Sequence, residues 1–334
     1  MIWRTRKYKG PERRLQPRWR PQPLRVILTL LVTVALGYGG GVLYLITQET
    51  RLVFQAGQTL GAARPSFPYD PIDLPRADGA RQFAWVMRSS GSDEGTWVLF
   101  LHGNAATIAS RVNIAHYSEL RNLGVNVLAP EYHGFGGLNG VPTETVLAAD
   151  ARAAYDYLRT ARQVAPSHIV IYGWSLGSAV AVGLASEVEQ AAVILEGAPA
   201  SLVDISRQRY PLFPIRLLMR NRFESIQKIN RIRAPILFLH SPEDAVIPIA
   251  EGRRLYDAAR GEKTFVEVRG GHVDATTVDT KRFYGAIRTF LARHHLIGTD
   301  NLDGATPSRP KPEAQSSGLS RARPGAESSG LGPR

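Results

Sequence analysis

A serine flanked by two glycines is the first residue of this chain with an evident chemical use. The motif Gly-Trp-Ser-Leu-Gly at 173–177 follows an apolar run at 169–172 and precedes a run of small apolar residues at 178–185. When Gly-x-Ser-x-Gly joins a strand to a helix, it forms a tight turn. This turn strains the serine backbone and lifts the hydroxyl clear of the sheet. Glycines lack a Cβ, so the strand and the helix can pass close to each other. The sequence therefore predicts that Ser175 is a nucleophile.

A serine hydroxyl needs a base that removes its proton, and the base needs a third group that orients it. After a serine in this setting, the chain order is an acid and then a histidine. Asp244, with Glu243 as the alternative, follows one predicted strand, and His272 follows the last one. Adjacent residues point in different directions, so we expect only one of the two acids to reach the imidazole. His240 also follows the serine, but it lies on the strand that supplies the acid and is not expected to face it.

An ester carbonyl under attack needs two amide donors for its developing negative charge. The N–H of Leu176 is one by position, because it opens the helix after the serine. The second is expected from the loop 102–105, which follows the apolar run 97–101. Within that loop we predict the backbone N–H of Asn104, with Ala105 as its neighbour. The alternative for this loop is an ordinary polar turn.

The elements that must position these residues alternate along the chain. Apolar runs predict strands at 97–101, 125–130, 169–172, 192–195, 236–239 and 264–268. Helical patterns lie at 107–122, 144–162, 178–185, 249–260 and 280–294. This alternation indicates an α/β fold with a mostly parallel, doubly wound sheet, in which ligands bind at the carboxyl ends of the strands. Residues 82–87 alternate in the manner of an edge strand.

The net charge of +12 is concentrated at the amino terminus. Residues 1–25 hold nine Lys or Arg and one Glu, and they predict a disordered basic arm. The remainder is nearly neutral, which argues against a nucleic-acid-binding domain. The chain has no cysteine, so disulfides, thiol catalysis and cysteine metal sites are excluded. No metal and no organic cofactor is implied.

Residues 26–47 carry no charge and, as a helix, would extend about 33 Å, enough to span a bilayer. The alternatives are a buried core helix and a cleaved signal peptide, for which Ala35-Leu36-Gly37 offers a small-x-small site. Because the apolar run continues ten residues past that site, we favour an uncleaved single-pass anchor. The positive arm is then cytoplasmic, and a catalytic domain at 48–298 lies on the far side, the periplasm in a bacterium. Residues 299–334 predict a disordered tail.

Five motifs in order resemble the α/β-hydrolase superfamily, at 101–105, 131–136, 173–177, 244–248 and 271–272. The chain is more narrowly similar to the bud-emergence-like branch, membrane-associated serine hydrolases that resemble α/β-hydrolase-domain lipases. The resemblance covers about residues 50–296. It implies the α/β-hydrolase fold with a short cap insertion near 210–225, and it favours Asp244 over Glu243 as the acid.

The resemblance also makes Tyr132, His133 and Trp174 candidate substrate-binding residues. The loop that follows the second of the predicted parallel strands departs from the family, which more often has Asp-Tyr-Arg-Gly-Tyr-Gly there. Glu131 and His133 replace the acid and the arginine. This leaves the catalytic residues intact, but the substrate contacts of the loop need not follow those of the family.

The function that the resemblance implies is hydrolysis of carboxylic esters through Ser175, Asp244 and His272. A membrane anchor makes lipid-like esters reasonable substrates. The apolar residues within 198–229 either pack a helix on the sheet or form an acyl-binding or membrane-facing surface. Three alternatives use the same chain: an amidase or peptidase, a non-catalytic hydrolase-fold binding protein, and a binder of nucleic acid or anionic lipid through the basic arm. The sequence does not indicate the oligomeric state.

Overall fold

A single eight-stranded sheet forms the centre of the computed structural model, in the order β1-β2-β4-β3-β5-β6-β7-β8. The model describes residues 22–56, 62–90 and 92–298, so most of the predicted basic arm and the predicted tail lie outside the described residues. The strands are Asp70–Pro75 (β1), Arg81–Met87 (β2), Trp97–Leu101 (β3), Asn126–Pro130 (β4), Ile169–Trp174 (β5), Ala192–Glu196 (β6), Ile236–His240 (β7) and Lys263–Glu267 (β8). β3 to β8 run parallel, which confirms the predicted α/β-hydrolase fold.

Helices cover both faces of this sheet. They are Pro23–Phe54 (α1), Arg111–Asn122 (α2), Glu144–Thr160 (α3), Leu176–Ala185 (α4), Leu202–Arg209 (α5), Ile215–Leu218 (α6), Ile249–Ala258 (α7), Ala275–Val278 (α8) and Thr280–Arg293 (α9). Side chains of α3, α4 and α7 pack in one apolar cluster, and those of α2 and α9 in another. All residues of β3 to β7 are buried, as expected for parallel strands that are covered on both faces.

A strand forms at the predicted position 82–87, but the prediction that it lies at an edge of the sheet is wrong. β2 pairs antiparallel with β4 on one side and with β1 on the other. The actual edge strand, β1, begins Asp-Pro and ends in Pro75, and it was not predicted because prolines argue against a central strand. Proline has no N–H to donate, and a strand with only one neighbour tolerates that loss.

The apolar helix α1 is longer at both ends than the predicted segment at 26–47. Its part Pro23–Thr47 is long and apolar enough to cross a membrane. The hydroxyls of Thr33 and Thr47 donate to backbone carbonyls one turn earlier, which satisfies them without water.

The last turns of α1 belong to the hydrolase domain. The Glu49 carboxylate is buried, and its Oε1 accepts the backbone N–H groups of Arg220 (2.7 Å) and Asn221 (2.8 Å). Phe54 is fully buried and meets Phe223 edge-on, with ring centroids 6.0 Å apart. These contacts join the helix to the segment that follows α6, which belongs to the cap insertion that the resemblance implied.

Candidate active site

Ser175 occupies the turn between β5 and α4 in a strained conformation. Its φ is 55° and its ψ is −122°, in the region that side chains with a Cβ rarely adopt. The turn is fixed on both sides: the Ser175 N–H donates to the Glu196 carbonyl (2.8 Å), and the Ser175 carbonyl accepts the Ser178 N–H (2.9 Å). The strain therefore persists because the neighbouring strand and helix hold it.

The two glycines of the motif are required by close approach. A Cβ on Gly177 would overlap the carbonyl of Leu101, and one on Gly173 would overlap the backbone at Gly177 and Ser178. The first turn of α4 can therefore approach β3 only without these side chains. This contact brings the loop after β3 beside the serine, where the oxyanion donors are expected.

Ser175, His272 and Asp244 form one chain of hydrogen bonds. Ser175 Oγ lies 2.7 Å from His272 Nε2, and His272 Nδ1 lies 2.7 Å from Asp244 Oδ2. Asp244 is 7% exposed, whereas the side chain of Glu243 is exposed to solvent, so the geometry favours Asp244. A Cβ added to Gly197 would lie within 3.5 Å of both His272 and Asp244, so the backbone passes close to these two side chains. The φ of Gly197 is 54°, a conformation that favours glycine.

The environment of Asp244 stabilises its charged form. Burial alone would raise the pKa of Asp244, but hydrogen bonds from His272 and from the N–H groups of Val246 and Ile247 (both 2.8 Å) outweigh it, so the pKa is lowered. Burial lowers the pKa of His240, whose neutral ring then donates from Nε2 to the Ile247 carbonyl (2.9 Å). His240 therefore holds the loop that carries the acid and does not contact Ser175.

The predicted oxyanion donors lie on the loop after β3 and at the start of α4. A Cβ added to Gly103 would lie 3.1 Å from Ser175 Cβ, so this loop is adjacent to Ser175. The Ala105 N–H already donates to the Asn104 side-chain oxygen (2.9 Å), which leaves the Asn104 N–H as the free candidate of the pair. Asn104 Nδ2 in turn donates to the carbonyl of Val53 on α1 (2.7 Å).

The three candidate substrate-binding residues do not form one surface. Tyr132 is 1% exposed and donates to the His102 carbonyl (3.4 Å). His133 is held by Asp150, through its Nδ1 (2.7 Å) and its backbone N–H (2.9 Å). Trp174 is buried and stacks on His272 at 6.2 Å between centroids. That these residues contact substrate stays a prediction.

The loop that begins at Glu131, after β4, holds the segments that surround Ser175. Glu131 Oε1 pairs with His102 Nε2 (2.9 Å), and Oε2 accepts the Ile108 N–H (3.1 Å), so one carboxylate holds the segment 102–108, which includes the predicted oxyanion loop. Beside His133, Arg76 reaches Asp150 from the loop between β1 and β2 (2.5 Å). A guanidinium is therefore present beside this loop, although it comes from another part of the chain than the family pattern suggests.

A buried polar cluster beside the turn at Ser175 was not predicted. Tyr172 donates to Glu196 Oε2 (2.7 Å), and His116 Nε2 is 3.6 Å from the same oxygen. Burial raises the pKa of Glu196 to about 8 and lowers the pKa of His116 to about 3, so both side chains are neutral at pH 7. The available signal was an acid directly after the apolar run 192–195. No group of metal-ligating side chains occurs within residues 22–56, 62–90 and 92–298.

A family model described as the alpha/beta hydrolase family matches residues 98–324. The chain belongs to this family. The hydrolase is 34% identical over 274 residues to an uncharacterized protein of Mycobacterium tuberculosis, which covers 81% of this chain and 97% of the relative. It is 30% identical over 212 residues to the lysophosphatidylserine lipase ABHD12 of Danio rerio, which covers 58% of this chain and 55% of the relative. The α/β hydrolase domain-containing protein WAV2 of Arabidopsis thaliana is 29% identical, covering 80% of this chain and 96% of WAV2.

Solved structures share the fold. The esterase Pf2001 of Pyrococcus furiosus superposes with a TM-score of 0.58 at 21% identity, covering 71% of this hydrolase and 95% of the esterase. At this identity the likeness concerns the fold alone. The family match and the curated relatives support hydrolase activity.

Proposed function

We propose that this protein is a membrane-anchored serine hydrolase that cleaves carboxylic esters, with lipid-like esters as its substrates. The observation that carries the proposal is the pair of 2.7 Å hydrogen bonds that joins Ser175, His272 and Asp244 at a strained turn. A hydroxyl, an imidazole and a buried carboxylate in this order are the parts that acyl transfer needs.

The mechanism follows from the positions of these atoms. His272 Nε2 takes the Ser175 proton while Oγ attacks the ester carbonyl. The N–H groups of Leu176 and Asn104 stabilise the oxyanion. His272 then protonates the leaving alcohol and activates the water that releases the acid. Asp244 holds His272 in the tautomer that carries its proton on Nδ1, and it stabilises the imidazolium. The lowered pKa of the Asp244 carboxyl group supports this role.

Two observations support a lipid-like substrate. A cleft between α1 and the cap is lined mainly by apolar side chains, namely those of Leu45, Leu52, Val53, Ile215, Leu218 and Met219. Val53 lines this cleft, and its backbone carbonyl accepts a hydrogen bond from the side chain of Asn104. The cleft therefore adjoins the predicted oxyanion loop. The name of the ABHD12 relative, a lysophosphatidylserine lipase, is consistent with an acyl ester presented by a membrane.

The test uses the full-length protein in detergent. A fluorophosphonate probe should label the wild type, and a short p-nitrophenyl acyl ester should be turned over. Ser175→Ala should abolish labelling, and His272→Ala should lower turnover by about 10⁴-fold or more. Glu243→Gln is the matched control, because its exposed side chain is adjacent to the acid but outside the hydrogen-bonded chain, and it should retain full activity. Labelling that persists in Ser175→Ala would refute the assignment. The corresponding p-nitroanilide separates esterase from amidase activity.

A further inference from the structure

The tip of the cap, residues 210–214, contacts the middle of the apolar helix. The rings of Phe213 and Tyr38 stack at 5.4 Å between centroids with 10° between their planes. Tyr38 also donates its hydroxyl to the Leu212 carbonyl (3.2 Å). Gly41 allows the contact, because the Phe213 ring occupies the space that a Cβ on Gly41 would need. The cap tip is thus fixed to the helix well before the end of its apolar part.

The depth of this contact follows from helix geometry. The uncharged stretch 26–47 has 22 residues, and a hydrocarbon core needs about 20 of them. Whichever 20 residues are chosen, Tyr38 lies seven to nine residues before the carboxyl end of the core, which is about 10 to 13 Å along the helix. Residues 210–214 therefore lie at the depth of the lipid acyl chains if α1 spans the bilayer.

The side chains and polar groups of the cap suit this depth. Leu212 is 80% exposed and Leu217 is 86% exposed, so both present an apolar surface to the surroundings. The Tyr38 hydroxyl and the Leu212 carbonyl satisfy each other, as groups away from water must. Farther along the cap, Arg220 reaches the Ile46 carbonyl (3.4 Å), so the cap rises along α1 toward the membrane surface.

Basic residues flank the apolar tip. Residues 202–222 contain five arginines and one aspartate, and Arg220 and Arg222 also pair with Glu49 and Glu224, so these groups together have a net charge of +2. Long arginine side chains can extend from apolar surroundings to lipid phosphates. An apolar tip with a basic flank is the pattern of segments that lie in the interface of an anionic bilayer.

From these contacts we infer that the cap tip inserts into the membrane leaflet on the catalytic side, with Leu212 and Phe213 among the acyl chains, Leu217 nearer the surface and the arginines at the headgroups. The occupant of this surface is anionic phospholipid. The inference rests on the transmembrane placement of α1 in the proposed function. It adds a second membrane contact, which the substrate chemistry does not require.

The experiment uses single-cysteine variants of the full-length protein, which has no cysteine of its own. Leu212→Cys and Leu217→Cys are labelled with an environment-sensitive fluorophore in phosphatidylcholine–phosphatidylglycerol vesicles that contain lipids spin-labelled near the headgroup or deep in the chain. Leu36→Cys, in the middle of α1, is the bilayer control. Ser167→Cys, exposed before the amino end of β5, is the aqueous control. Labelling of Ser175 by a fluorophosphonate in the same samples reports the hydrolase function separately.

We expect quenching at least threefold greater at Leu212 than at Ser167, with the deep quencher more effective at Leu212 than at Leu217. If Leu36 is quenched while Leu212 behaves like Ser167, the anchor stands and the inference is overturned. If Leu36 is not quenched either, the transmembrane placement fails and the inference fails with it. A blue-shifted emission at Leu212 without quenching by lipid would also overturn it, and would indicate a protein partner or a second copy.

Discussion

Glu196 is a buried carboxyl group whose protonation can be measured as stability. Its side chain lies beside the turn at Ser175, and burial raises its pKa from 4.5 to about 8. Above pH 4.5 the unfolded chain loses this proton while the folded chain keeps it, so the free energy of unfolding falls as pH rises toward 8. At 1.36 kcal/mol per pH unit, this cost is about 3 kcal/mol at pH 7 and about 4 kcal/mol at pH 8, and it approaches about 5 kcal/mol at higher pH.

Glu196→Gln should remove this cost. A glutamine keeps an oxygen that accepts the Tyr172 hydroxyl, and its amide replaces the protonated oxygen. The variant should therefore match the wild type in stability at pH 5 and exceed it by about 3 kcal/mol at pH 7. Urea unfolding of the full-length protein in detergent, followed by tryptophan fluorescence at several pH values, measures the difference.

Glu243→Gln is the control for this comparison, because its exposed carboxyl group should give no such dependence on pH. The reasoning about Glu196 would be refuted if the stability difference between Glu196→Gln and the wild type were the same at pH 5 and pH 8. A difference of the opposite sign at pH 8 would mean that Glu196 is charged in the folded protein.

Three further predictions concern the site and the helix that supports it. Asp244→Asn should lower kcat for a p-nitrophenyl ester by about 10³- to 10⁴-fold, because it loses the charge that orients His272. The tryptophan fluorescence of the folded protein should change little. A loss of kcat under tenfold would exclude the assigned role. Asn104→Ala keeps the backbone N–H but loses the bond to Val53, so kcat should fall by about tenfold while KM changes less, and an unchanged kcat would show that the bond does not position the loop. Glu49→Ala leaves the buried backbone N–H of Asn221 and the partly buried N–H of Arg220 without an acceptor, so it should cost about 2 to 4 kcal/mol in urea unfolding. Glu94→Ala, at an exposed site, should cost less than about 0.5 kcal/mol, and equal costs would contradict the account of α1.

The sheet was predictable because its signals are local. Buried parallel strands are short apolar runs, and the helices between them have regular spacing, so β3 to β8 were found with ends within one or two residues. The order of Ser175, the acid and His272 could also be predicted, because chains with this serine motif carry the acid and the histidine, in that order, after the serine.

Contacts between distant parts of the chain could not be predicted in this way. The helix α1 continues past the charged residues Glu49 and Arg51 because Glu49 bonds with the backbone at 220 and 221. Arg76 finds Asp150 across 74 residues, and Glu131 finds His102 across 29. In each case the sequence shows a charge in an apolar or irregular stretch, but only the fold identifies its partner.

If α1 spans the bilayer, as we propose, its unbroken passage into the domain that contains the sheet determines how the protein encounters its substrate. A hydrolase on a flexible tether samples a hemisphere of solution around its anchor. Here Glu49 and Phe54, both on α1, are buried in contacts with the cap segment, so the domain cannot swivel about the membrane. Ser175 is thereby held at one height and in one orientation relative to the helix that carries it. An ester dissolved in the bilayer then reaches Ser175 by lateral diffusion in two dimensions. An ester dissolved in water does not reach Ser175 faster because of the anchor.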